Sequence, residues 1–260
     1  MMKLAEIIAV IDGLCPFSLQ EPWDNSGFQL GDPNAEITAV LTALDLTEEV
    51  IREAKAKKAE LIVTHHPLFF RGVTAIDGSL GKGKMITELI RSGIAVVSCH
   101  TNLDKAADGV SAVLGQKLGL TLCCPFRPDE SGGCFGVIGM FPQKATLETF
   151  AAEVKERLSL PMIRVVGDMD RPVRTVAAMG GAGADFISDA ADVGVDVYVT
   201  ADLKYHDGQT AAERGLALID AGHFPTEAPV MRPFTEKMAA AMPELRFSVA
   251  DGMKDFWRVM

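Results

Sequence analysis

The chain has 260 residues, 48% of them apolar and 23% charged, with a formal net charge of −10. That is enough apolar material for one large or two small packed domains, and it argues against a disordered chain. The acidic balance speaks against sequence-independent nucleic-acid binding, which rests on Lys and Arg neutralising phosphates, so nucleic acid is not expected as a partner.

The first apolar stretch is interrupted by Glu6 and Asp12, and no apolar run reaches the roughly 18–20 residues that span a bilayer. No export signal is read there, and a cytoplasmic location without a membrane partner is expected. The run AVLTALDL at 39–46 reads as a strand. Thr47 then stands as N-cap of a helix over 47–59, with acidic residues in its first turn. A buried strand is expected at 60–67, a helix at 83–93 stopped by Gly93, a strand at 94–100 and a helix at 109–120. This β-α-β-α order predicts a mostly parallel sheet covered by helices.

Near 121–135 the text turns to Pro, Gly and charge, which marks a candidate domain boundary. Beyond it come a strand at 134–141, a helix at 146–160 with Thr146 as N-cap and a strand at 161–168. The segment 174–194 reads as strand, Gly-rich turn and helix. A strand at 195–202, a helix at 209–215, a strand at 216–223, a helix at 227–243 and a strand at 245–252 complete the pattern. The expected division is a first domain over 1–125 and a second over 126–228, with the segment from about 229 to 260 able to pack back onto the first. The five cysteines, Cys15, Cys99, Cys123, Cys124 and Cys134, are odd in number and form no C-x-x-C pair. Reduced thiols are expected, not a disulfide framework or a zinc knuckle.

Four of the five histidines fall at strand ends or just beyond, where ligands gather in open α/β sheets. His65 and His66 close the strand ELIVT. Adjacent residues on an extended chain point to opposite sides, so the pair can address neighbouring ions only if the chain turns there. Pro67 favours an extended His66. Asp104 follows the strand IAVV, in the loop SCHTNLD; on its own it reads better as a helix cap. His223 ends the strand LALID, and Glu227 lies four residues on, near one face if a helix starts by Pro225. Three strand ends carrying His-His, Asp and His-x-x-x-Glu are more economically one metal site than three unrelated caps. Mixed imidazole and carboxylate ligands suit Zn, Fe, Mn, Co or Ni, and disfavour a dedicated calcium cage.

Other residues have two readings. Trp23, Asp24, Asn25 and Gly27 form a polar loop; Trp23 and Asn25 are candidates to line a cleft and hold a base, or form a packed tight turn. His206 and His100 are candidate proton-transfer groups, or hydrogen-bonded loop histidines. The turn at Gly180, Gly181 and Gly183 offers backbone N–H groups to a phosphate, or close helix–strand packing.

The segments EPWDNSGFQLGD, LIVTHHPLFF, VSCHTNLDKAADGVS, VYVTADLKYHD and IDAGHFPTE, in this order, resemble the Nif-three-like dinuclear metal-centre family, whose members are described as GTP cyclohydrolase type 2 homologues. The likeness covers nearly the whole chain, in the short form without an inserted middle domain. The family's metal ligands fall on His65, His66, Asp104, His223 and Glu227, and all five residue types match. Its GG-x-G turn falls on Gly180, Gly181 and Gly183, with Met179 where a Cys is common. The resemblance implies two three-layer α/β domains with the dimetal site in the cleft between them, two divalent ions per chain, and a ring-shaped homohexamer. Two such ions sharing carboxylate and water would generate a nucleophilic hydroxide near neutral pH. The expected function is therefore a metal-dependent hydrolase acting on a nucleotide or another phosphate-bearing small molecule. The alternative is a non-catalytic metal-binding or partner-binding scaffold.

Overall fold

A computed structural model describes residues 1–130 and 132–258. In chain order its elements begin with β1 (Met2–Lys3), α1 (Leu4–Leu14), β2 (Gly27–Leu30), β3 (Glu36–Ile37) and β4 (Ala39–Ala43). Next come α2 (Glu48–Lys57), β5 (Leu61–Thr64), α3 (Gly81–Ser92), β6 (Ala95–Ser98) and α4 (Thr101–Asp104). Then follow α5 (Val110–Lys117), β7 (Thr121–Pro128), β8 (Cys134–Thr146), α6 (Leu147–Arg157), β9 (Arg164–Val166) and β10 (Pro172–Ala182). The remainder is α7 (Ile187–Val193), β11 (Val197–Ala201), α8 (Tyr205–Glu213), β12 (Ala217–Asp220), α9 (His223–Glu227), α10 (Met231–Ala241) and β13 (Arg246–Val249). Two compact units result: Met1–Leu103 with Met231–Lys254, and Asp104–Val230 with Asp255–Met260.

The first unit is built on a five-stranded sheet in the order β13-β4-β5-β6-β2. Strands β13, β4, β5 and β6 run parallel, and β2 is antiparallel at the edge. Every residue of β4, β5 and β6 is buried, as expected for strands covered on both faces. Leu41, Ala43, Ile62 and Val96 meet Val50, Ile51 and Ala54 of α2 and Ile86 and Leu89 of α3. On the opposite pleat, the Thr42 hydroxyl meets that of Thr235 on α10 at 2.6 Å. Helix α2 starts as its sequence predicts: the Thr47 hydroxyl accepts from Val50 N at 3.2 Å, and Glu48 and Glu49 occupy the first turn.

The second unit holds a six-stranded sheet in the order β7-β8-β10-β11-β12-β9. One face packs Val176, Ala178, Val197, Val199 and Ile219 against Leu114 of α5 and Phe150 and Val154 of α6. The other packs Ala177, Tyr198 and Leu218 against Ile187 of α7 and Ala211 of α8. Successive residues of β10 and β11 thus serve opposite layers, the period-2 signature of a sheet between helices. The chain is α/β in both units. The expectation of mostly parallel strands needs correction in the second sheet, where β10-β11 and β11-β12 are parallel but β7-β8, β8-β10 and β12-β9 are antiparallel.

The Pro- and Gly-rich stretch at 121–135 is not a boundary. Its first residues form β7, which pairs antiparallel with β8, and α5 packs on the same sheet. The first unit therefore ends at Leu103, not near 125. The stretch looked like a linker because β7 is an edge strand, and edge strands tolerate Pro and exposed polar groups. No described helix is long and apolar enough to cross a membrane.

Candidate metal centre

In the first unit the parallel ladder continues one step past β5. His65 N donates to Ala43 O at 3.1 Å, His66 N to Leu44 O at 2.9 Å, and Cys99 N to Thr64 O at 2.8 Å. The Thr64 hydroxyl bonds back to His66 O at 2.8 Å, which turns the chain just after the strand. As a result the rings of His65 and His66 lie on one side, with centroids 4.9 Å apart, where a continuing strand would have separated them. His100, two residues past β6, brings its ring to 5.2 Å from His65 and 5.7 Å from His66. The three histidines each offer a ring nitrogen within 4.8 Å of the others.

Each of these rings is held from behind. His65 Nδ1 lies 2.8 Å from Cys99 O. His66 Nδ1 lies 2.7 Å from Asp45 Oδ1, and His100 Nδ1 lies 2.8 Å from Asp24 Oδ1. Carbonyl and carboxylate oxygens only accept, so Nδ1 is the protonated nitrogen and Nε2 carries the lone pair through which each ring would coordinate. Asp24 is itself fixed by the Thr101 N–H and hydroxyl and by the Ser26 hydroxyl. Burial alone would raise its carboxyl; the hydrogen bonds from His100 and Thr101 outweigh that and hold it well below the usual carboxylate range.

The second unit repeats the scheme. Gly222, at φ +79°, turns the chain into α9, so His223 opens a helix instead of ending a strand as its sequence suggested. Glu227 follows one turn later, with Nε2 of His223 2.9 Å from its Oε2. His223 Nδ1 lies 2.8 Å from Asp202 Oδ2. Burial would lower this imidazole, but hydrogen bonds to Glu227 and Asp202 push it up to about 9. Asp104, at the end of α4 and not in a loop, offers a carboxylate oxygen within 4.8 Å of one on Glu227.

The glycine turn explains the position of Glu227. Gly181 has φ +68°, and a Cβ there would fall 2.0 Å from Glu227 Oε1. A Cβ on Gly183 would fall 2.3 Å from both Thr200 Oγ1 and the Tyr198 hydroxyl. The N–H groups of Gly180 and Gly181 donate to the hydroxyls of Ser111 (3.3 Å) and Thr226 (3.0 Å). The observed role of this turn is close packing around Glu227.

Trp23 is 59% exposed and Phe70 44%. Their rings sit 5.9 Å apart and stand 6.3 and 5.9 Å from His100, an aromatic wall beside the three histidines. Asn25 faces inward to the loop, its amide donating to Phe69 O at 2.6 Å. His206 is exposed on α8, its Nδ1 3.1 Å from Gln209 Oε1. A groove of about 810 Å³ in the second unit is lined by Lys117, Arg157, His223, Phe224 and Trp257 among others.

The sequence reading gave no site role to Asp24, Asp45, Asp202 or Phe70. A signal existed for two of them: Asp202 directly follows β11 and Asp45 lies two residues past β4. These are the same strand-end positions that singled out the histidines.

The donor set fits divalent metal. Three imidazoles are fixed in the coordinating tautomer, and two carboxylates approach each other beside a histidine. Comparison with known proteins identifies the family. A relative from Clostridium perfringens, named GTP cyclohydrolase 1 type 2 homolog, is 36% identical over 98% of this chain and 98% of its own length. One of the same name from Streptomyces coelicolor is 37% identical over 99% of this chain and 94% of its own. Among solved structures, a Staphylococcus aureus hypothetical protein has a TM-score of 0.95 at 29% identity, covering 100% of this chain and 99% of its own. Reduced HcgD from Methanocaldococcus jannaschii has a TM-score of 0.80 at 29% identity, covering 96% and 98%. The family model described as Duf34/NIF3 (NGG1p interacting factor 3) matches residues 2–254, and the chain belongs to that family.

Proposed function

We propose that the chain binds two divalent metal ions through His65, His66, Asp104, His223 and Glu227, and hydrolyses a nucleotide or another phosphate-bearing small molecule. The observation that carries the metal reading is the pinning of two histidines: Nδ1 of His65 and of His66 faces an acceptor-only oxygen, so each of these rings, when neutral, presents Nε2. Asp45 orients the His66 ring and Asp202 that of His223, as carboxylates do behind metal-bound histidine. When bound, divalent ions supply Lewis acidity and lower the pKa of coordinated water. Trp23 and Phe70 supply a surface on which a base can stack. The name borne by the relatives, GTP cyclohydrolase 1 type 2 homolog, supports a purine nucleotide as the first substrate to try. His100 and His206 are assigned to proton transfer, and a homohexamer is proposed from the family resemblance.

Elemental analysis of protein from metal-supplemented culture should give about two ions per chain. A ratio at or below one, unchanged by His65→Ala and Glu227→Ala, would overturn the dinuclear reading. In a screen of nucleotides and phosphoesters, wild type should turn over at least one compound that Asp104→Ala does not. His206→Ala should keep its metals and slow that reaction by roughly 10²–10⁴-fold. If wild type and Asp104→Ala behave alike on every compound, the protein is a metal-binding scaffold. Light scattering decides the hexamer, and a monomer near 28 kDa, close to the chain mass of 27.8 kDa, would refute it.

A further inference from the structure

We infer that the groove of the second unit is a phosphate seat: the Lys117 ammonium and the Arg157 guanidinium take the phosphate of the substrate, and Trp257 and Met162 wall the group that carries it. This rests on the phosphate-bearing substrate proposed above and names the residues that recognise it, none of them a metal ligand.

Three observations carry it. The first is shape. The groove holds about 810 Å³, within the roughly 300–1,000 Å³ of sites that bind small molecules. All of its lining belongs to the second unit. Trp257 is 85% exposed and Met162 48%, and large apolar side chains left open in a groove are where the body of a ligand packs.

The second is charge. The chain carries −10 overall, yet the carboxylates that line this groove are already engaged. Asp220 accepts from Arg164, Asp202 faces His223 Nδ1 at 2.8 Å, and Asp255 accepts the Trp257 N–H at 2.9 Å. Lys117 is exposed at the end of α5 and pairs with no carboxylate among the described residues.

The third is the fixing of Arg157. It closes α6, with Nε 2.9 Å from Glu153 Oε2 one turn back. Its guanidinium rests on Gly119, which has φ +74°: a Cβ there would fall 2.7, 3.1 and 3.3 Å from Nη1, Cζ and Nη2. Only glycine leaves that backbone bare. A guanidinium has five N–H donors in a fixed fork; Glu153 takes the one on Nε, and the pair of amino groups remaining matches a phosphate in bidentate fashion. Helix dipoles favour a cation at each C-terminus, but they do not require α5 and α6 to end in the wall of one groove, or an arginine to lie over a bare glycine.

Helix α5 sets the distance from this seat to the proposed ions. A Cβ on Gly180 would fall 2.4 Å from Val110 Cγ1 and 3.5 Å from Glu227 Cγ, so the start of α5 packs beside Glu227. Lys117 closes the same helix, about 10 Å further along its axis. His223 lines the groove as well. A phosphate on Lys117 and Arg157 thus leaves the rest of a small molecule within reach of His223.

The test uses full-length, metal-loaded protein and calorimetric titration with GMP and AMP, with guanosine and adenosine as phosphate-free counterparts. Both nucleotides should bind at least 10-fold tighter than their nucleosides, and salt should shrink that advantage. Lys117→Gln and Arg157→Gln should each weaken the nucleotides by roughly 10–100-fold, the worth of a charge-assisted hydrogen bond. Neither should change the metal content, and Lys117→Arg should keep the advantage. The same losses should appear after chelation, which separates this seat from phosphate held by the ions themselves. In Trp23→Phe protein, where Trp257 is the one tryptophan left, GMP should shift the fluorescence. Should Arg157→Gln fail to fold, Arg157→Lys takes its place; it keeps the charge but loses the fork, and should still weaken the nucleotides. Nucleotides that bind wild type and both variants equally, or that weaken only in step with the nucleosides, would overturn the seat and leave the substrate class standing. Failure of wild type to bind either nucleotide overturns the seat and the nucleotide together, while metal content reads the metal centre independently.

Discussion

Gly181→Ala is the most discriminating perturbation of the second unit. The added Cβ would lie 2.0 Å from Glu227 Oε1 and 3.0 Å from its Cδ. Ordinary carbon–heavy-atom contact is about 3.5 Å, so the carboxylate must retreat by about 1.5 Å. Metal–ligand distances tolerate about 0.2 Å, and Glu227 is only 4% exposed, with packed neighbours on the other sides. Separately, an Ala held at φ +68° costs roughly 1–2 kcal/mol of backbone strain. Gly215 isolates that second cost: it has the same φ of +68° and nothing within 4 Å of a built Cβ. In the metal-stripped protein, Gly181→Ala should therefore lower the melting temperature by at least as much as Gly215→Ala, at about 2–4 °C per kcal/mol. Only Gly181→Ala should lose about one ion per chain by elemental analysis. A Gly181→Ala protein with wild-type metal content, or equal metal loss in both variants, would refute the claim that the turn exists to seat Glu227.

Thr47→Ala removes the N-cap of α2, whose hydroxyl accepts from Val50 N at 3.2 Å; urea denaturation should show a loss of about 1 kcal/mol. Glu60 accepts the N–H groups of Thr38 (3.1 Å) and Ala39 (2.9 Å). Burial alone would raise its carboxyl, and these bonds outweigh that and lower it from 4.5. Its contribution is therefore present above the unfolded value and lost as pH falls through the folded one. Glu60→Gln should cost about 1 kcal/mol at neutral pH, discounted for partial exposure, and nothing once both carboxyl forms are protonated. Chelation of metal-loaded protein should lower its melting temperature, by the equivalent of about 2.7 kcal/mol if the ion was at 100 times its Kd; an unchanged melt would speak against metal binding to the native state.

Much of the layout was written locally. The helix after Thr47, the buried strands and the histidines beyond them are set by periodicity, caps and turn residues within a few positions of one another. The sequence was silent where partners are remote. Asp24 holds a histidine 76 residues away, and Asp45 and Asp202 hold histidines 21 residues on. No short-range pattern announces such pairs. The N-terminal helix α1 was passed over because its stretch was weighed only as an export signal. The second sheet was misjudged because β7 is an edge strand whose Pro-containing text resembles a loop, and because nothing local to β9, expected as a strand, tells that it joins the other edge antiparallel. His223 was placed on a strand because Gly222, the residue that turns the chain into a helix, has no local mark beyond being glycine.

The return of Met231–Lys254 to the first unit sets the order in which the chain can complete itself on the ribosome. Strand β4 pairs with β5 on one side, but its other edge waits for β13, about 200 residues downstream. At about 5–20 residues per second, that edge stands open for roughly 10–40 s while residues 104–230 of the second unit are made. An open buried-type edge recruits foreign strands. The nascent protein should therefore be most dependent on chaperones during that interval, and truncations ending before Arg246 should aggregate even with residues 104–230 complete.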